Sequence, residues 1–102
     1  MRKITQEAAQ ALLNGETYRN NNTHVEGGVM LLHGNAIARY DRHTLIVSNA
    51  GWHTTTTKER LNGLLQTFGS GVRVFTKNHT PMISKSPLDK GAEWSGDWSV
   101  ID

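Results

Sequence analysis

An α+β fold is predicted by three features of this sequence. Residues 56–68 carry an apolar stripe at helical spacing. Residues 16–48 break into short apolar runs divided by turn signals two or three residues long, and a similar strand-and-turn pattern resumes after residue 69. Together these predict an antiparallel β-meander packed against one amphipathic helix, with a short N-terminal helix and C-terminal β-hairpins. The 102 residues leave room for a single domain over 1–102 and one modest core. A homodimer is one way to enlarge a core of that size.

The N-terminal helix is expected over about residues 5–14. Thr5 can cap it, Ile4, Ala8, Ala11 and Leu12 recur at helical spacing, and Asn14-Gly15 supplies a stop. So short a helix needs tertiary packing to persist. In the meander, "ETYRNNNTHVE" has polar turn residues at its centre and Gly27-Gly28 precedes "VMLLH". Gly34-Asn35 then separates "VMLLH" from "AIARYD", and "DRH" leads into "TLIVS". Leu45 and Val47 alternate onto one face, which implies a sheet with one covered side and one wetter side.

The second helix is the clearest element. Thr56 and Glu59 have the spacing of a capping box, and Leu61, Leu64, Leu65 and Phe68 form the stripe that should lie on the covered face of the sheet. Gly69 suits the C-terminal cap. Beyond it, Val72 and Val74 alternate with Arg73 and Phe75, Asn78-His79 reads as a hairpin turn into "TPMIS", and Ser95-Gly96-Asp97 reads as a tight turn between two Trp-bearing segments.

Composition narrows the function classes. The chain has no cysteine, so disulfides, thiol nucleophiles, cysteine-ligated zinc and iron–sulfur clusters are excluded. The start "MRKITQEAAQALLNG" has no apolar h-region and the longest apolar run, "VMLL", is far too short for a membrane span. A cytoplasmic location, with no membrane partner, is the expectation. Eleven Lys and Arg are scattered along the chain and nearly offset by nine carboxylates. A dedicated nucleic-acid binder carries a denser basic patch.

No motif points to catalysis, a metal or a cofactor. His24, His33, His43, His53 and His79 lack the helical i, i+4 pairing of zinc sites and fall at strand ends and turns. Ser48, Thr54 and Thr55 lie near His53 without the strained elbow of a hydrolase nucleophile, and the Glu93/Asp97 spacing is ordinary for a turn. "GSG" at 69–71 lacks the following helix of a phosphate cradle.

Two binding classes are left. Nucleic acid could stack on Trp52, Trp94, Trp98, Tyr18 and Tyr40, with Arg39, Arg42, Lys58 and Arg60 contacting phosphate. A protein partner is favoured by Gly63, which falls almost opposite the leucine stripe on a helical wheel. An outward glycine inside a helix costs about 1 kcal/mol against alanine, and close approach of another chain would explain it. The partner surface expected from sequence therefore combines Trp52, His53, Thr54 and Thr55 with Lys58, Arg60, Asn62 and Gly63.

Three stretches, "LHGNAIARYD", "SNAGWHTTTTKERLNGL" and "GVRVFTKNHTPMI", together resemble a group of small proteins encoded by tailed bacteriophages and prophages. The likeness covers about residues 22–101, and its most specific part is the Gly-Trp, the threonine run and the Lys/Arg-containing helix that follows. The resemblance implies a phage origin and an accessory role, such as stoichiometric inhibition of a host defence or host-takeover factor of the CRISPR type. It carries over no catalytic residue.

Overall fold

A computed structural model describes residues 1–101. Helix α1 (Lys3–Asn14) leads into a meander of five strands, β1 (Tyr18–Asn20), β2 (Thr23–Glu26), β3 (Val29–Leu32), β4 (Asn35–Asp41) and β5 (Thr44–Val47). Helix α2 (Thr55–Thr67) follows, and then β6 (Arg73–Lys77), β7 (Thr80–Ser84), β8 (Ala92–Glu93) and β9 (Ser99–Ile101). The α+β class and the strand-turn rhythm read from the sequence are those observed.

The strands form two antiparallel sheets, one of order β1-β2-β3-β4-β5-β9 and one of order β6-β7-β8. The two Trp-bearing segments do not form a hairpin with each other. Ala92–Glu93 pairs with β7, whereas Ser99–Ile101 pairs with β5. The segment between them crosses from one sheet to the other, and Gly96 anchors the crossing because its carbonyl accepts from both the Asn49 amide and the Ser48 hydroxyl.

Turn chemistry sets the meander. Gly27-Gly28, His33-Gly34, Arg42-His43 and Asn78-His79 all have positive φ at both central residues, the geometry that matches strand twist in two-residue hairpins. Histidine tolerates this region better than most residues. Three of the five histidines therefore have a backbone role in turns, while His24 lies 3.5 Å from Glu26 and His53 faces the Asn49 amide.

The covered face of the large sheet presents Val25, Met30, Leu32, Ala38 and Val47, all buried. Helix α1 packs over β1–β3, and α2 lies beside it against α1, β4 and β6. That position gives α2 neighbours on several sides, so its buried arc is wider than the leucine stripe. Leu61, Leu64 and Leu65 are buried as the stripe requires, and Phe68 meets Tyr40 edge-on with ring centroids 4.8 Å apart.

Both helix starts differ from the sequence reading. Helix α1 begins at Lys3 after Arg2, and Thr5 is a buried residue inside it. Helix α2 is capped by Thr54, whose side chain accepts from the Thr57 amide at 3.2 Å, so Thr55 and Thr56 are already helical. Glu59 does not reach back toward Thr56. It accepts from the Thr5 hydroxyl and the Arg60 guanidinium instead, and these buried donors outcompete a solvent-exposed capping box. At the other ends, Gly15 and Gly69 adopt the left-handed conformation expected of helix stops.

Candidate functional site

The segment joining β5 to α2 is held from below. Asn49 is buried, and its side-chain oxygen accepts from the Gly51 amide at 2.8 Å. Ala50 and Gly51 both have positive φ, and the Trp52 amide closes the turn onto the Asn49 carbonyl at 2.8 Å. The Ser48 hydroxyl donates to Gly96 and accepts from the Ala50 amide. The Ser48 and Asn49 side chains are thus spent on shaping this loop, and Trp52 emerges from it 57% exposed.

Trp52 forms one wall of a cavity of about 270 Å³. Leu32 and Ile37 supply further apolar lining, and Thr54, Thr56 and Thr57 line it from the start of α2. Ile37 faces inward because of a β-bulge: Met30 pairs with Ala38 and Leu31 with Ala36, which leaves Ile37 as the extra residue. Bulges of this kind re-aim side chains next to binding sites. The bulge was not legible in "NAIARYD", because alternation alone cannot show that both Ile37 and Ala38 turn inward.

The expected partner surface divides in two. Trp52, His53, Thr54 and Thr55 are exposed, and of these Trp52 and Thr54 line the cavity. Lys58 is half-buried, and its ammonium donates to Thr76 on β6 at 2.8 Å. Asn62 is also half-buried and brackets Val74, donating to its carbonyl and accepting from its amide, each at 2.8 Å.

Arg60 and Gly63 do not lie on an outward face. Gly63 is buried against α1, where an added Cβ would run into the Thr5 methyl and the Met1 side chain. Close approach does explain this glycine, but the neighbour is the protein's own first helix. Arg60 is 2% exposed. It donates from Nε to Thr23 at 3.0 Å and from Nη1 to Thr5 at 2.8 Å, which ties α2 to β2 and α1. A charge among leucines on a wheel diagram looks solvated; burial became favourable only once Thr5, Thr23 and Glu59 converged on it.

The candidate stacking and phosphate contacts are likewise dispersed. Trp94 is buried, its indole N–H donating to Ser99 at 3.0 Å, and Tyr40 is occupied with Phe68. Arg39 sits over the Trp98 ring at 5.3 Å on the other face of the large sheet. Ser48 is directed at Gly96 and His53 at Asn49, so no hydroxyl–imidazole pair forms there. Burial raises the Glu59 carboxyl, but hydrogen bonds from Thr5, the Arg2 amide and Arg60, with the Arg60 charge, outweigh it and leave the group below its usual range. Among the described residues no helix is long and apolar enough to cross a membrane.

A family model described as Kyanoviridae Gp96 protein matches residues 1–100. The match includes α1, which the resemblance over 22–101 left out. No curated protein and no solved structure matches the chain.

Proposed function

The chain belongs to the Kyanoviridae Gp96 family, a phage protein family, and from that premise we propose that it acts stoichiometrically by binding a protein target. The observation that carries this reading is the braced, largely exposed Trp52 beside the cavity lined by Leu32 and Ile37. Tryptophan is among the side chains most enriched in interface hot spots, which cluster near the interface centre. A cavity of about 270 Å³ stands at the lower edge of the roughly 300–1,000 Å³ of small-molecule pockets. It suits one side chain of a partner.

The proposed surface comprises Trp52, His53, Thr54 and Thr55, with Thr56 on the cavity wall and Lys58 at its flank. Arg60, Asn62 and Gly63 lie outside it and pack α2 against α1, β2 and β6. A host defence or host-takeover factor is the target class that fits a small phage protein of this kind. Nucleic acid is the weaker reading, because Trp94, Tyr40 and Arg60 are committed to the interior.

The test is affinity capture from host lysate with the wild-type chain and with Trp52→Ala. A discrete protein retained by the first and reduced at least about 30-fold by the second, at unchanged melting temperature, is expected of a hot-spot tryptophan. Tight heparin retention with affinity falling steeply in salt would favour nucleic acid instead.

A further inference from the structure

We propose that the loop between β7 and β8 is a preformed docking knob, in which Leu88 enters an apolar pocket rimmed by carboxylates on a partner protein. Leu88 is 96% exposed, the most exposed of the large apolar side chains. A single exposed leucine is ordinary on a protein surface. This one differs in how it is held.

Within Ser84–Gly91 four donors fold the loop back on itself: the amides of Lys85, Asp89 and Gly91 and the Ser84 hydroxyl. The Asp89 amide closes a turn onto the Ser86 carbonyl at 3.1 Å, with Pro87 and Leu88 as the central pair. Proline fixes its own φ for the first central position. The Asp89 carboxylate accepts from the amides of Lys85 at 2.9 Å and Gly91 at 3.0 Å, so it spans the base of the loop. Beneath it, the buried Ser84 hydroxyl lies 2.7 Å from the Ser86 carbonyl and 3.0 Å from the Asp89 carbonyl. Gly91 returns the chain at φ 94°, with the Phe75 ring pressed where a side chain would stand. The loop is thus ordered by its own side chains and backbone while the leucine it displays is almost wholly exposed. Preorganisation lowers the entropy lost when such a residue is captured.

Charge indicates the kind of partner. Lys85 and Lys90 flank the tip and are exposed, while the neighbouring Asp89 carboxylate is taken up by backbone donors. An apolar recess with acidic residues at its rim complements that arrangement. A membrane surface does not, because stable attachment takes two anchoring signals and one leucine with two lysines falls short of them.

The experiment places a benzophenone amino acid at position 88 of the full chain, irradiates infected host cells, and maps the cross-linked peptides by mass spectrometry. A control carries the same group at Ser86. The expected result is one dominant cross-linked protein site containing both apolar and acidic residues. Its yield should fall at least tenfold when Lys85→Glu and Lys90→Glu are combined, and several-fold with Asp89→Ala. Leu88→Ser should melt with the wild type, which separates docking from folding. A position-88 yield no higher than at position 86, a mapped site without carboxylates, or an Asp89→Ala yield equal to wild type each overturns the proposal. So does Leu88-dependent sedimentation with phosphatidylglycerol vesicles.

Discussion

The guanidinium of Arg60 on α2 lies 2.8 Å from the hydroxyl of Thr5 on α1, and that hydroxyl passes its own proton toward Glu59. One threonine thus serves as acceptor for a buried cation and donor to the anion beside it. Replacing Arg60 with methionine removes the centre of this network and strands the groups that faced it. Breaking a buried pair of this kind costs about 3 kcal/mol, so thermal unfolding should show a Tm lower by roughly 15 °C. Arg60→Lys keeps the charge without the fork and should fall between the two.

Gly63→Ala separates the two meanings of that glycine. An exposed position would gain about 1 kcal/mol in helix propensity. Here the new methyl meets Thr5, which cannot rotate away without releasing Arg60 and Glu59. Overpacking costs about 1–3 kcal/mol, so denaturant melts should show a net loss. A stabilised variant would overturn the placement of Gly63 against α1.

The threonine run offers a direct comparison. Thr54→Ala removes the acceptor for the Thr57 amide and should cost about 1 kcal/mol. Thr56→Ala, inside the first turn, should change stability by less than about half of that. Urea titrations of the two variants resolve this ordering, and the reverse order would restore the capping box at Thr56.

Arg42 and His43 occupy the β4–β5 turn with φ of 51° and 64°, where asparagine and glycine are the favoured pair. Exchanging them for Asn-Gly relieves left-handed strain and should stabilise the fold by about 1 kcal/mol. Chemical denaturation measures the gain.

Glu59 also predicts the acid limb of the stability curve. Its folded carboxyl titrates below the unfolded one, so the stability it contributes is complete above an unfolded value of about 4.3. That contribution is lost as pH falls through the folded value. Glu59→Gln should therefore be destabilised at neutral pH and show a shallower decline on acidification, read by urea melts across that range.

The fold was legible where the pattern is local. Apolar runs between Gly27-Gly28, Gly34 and Asn78-His79 located the hairpins, and four stripe residues with Gly69 located α2. Partner choice over long distance was not legible. Nothing in "EWSGDWSVID" says that Glu93 and Val100 belong to different sheets, because that depends on Gly96 accepting from Asn49 and Ser48. The candidate site was half legible for the same reason. Trp52 stood out as a residue without a helical duty, whereas Thr54 carries the cap and Arg60 is drawn inward by threonines distant in sequence.

The pairing of β9 with β5 is the longest-range closure in the large sheet. The five meander strands close on neighbours a few residues away, but β5 must wait for Ser99–Ile101, on the far side of α2 and the whole small sheet. Local contacts form quickly and a closure over so long a span is slow. During synthesis Thr44–Val47 therefore presents an open hydrogen-bonding edge until the last strand arrives.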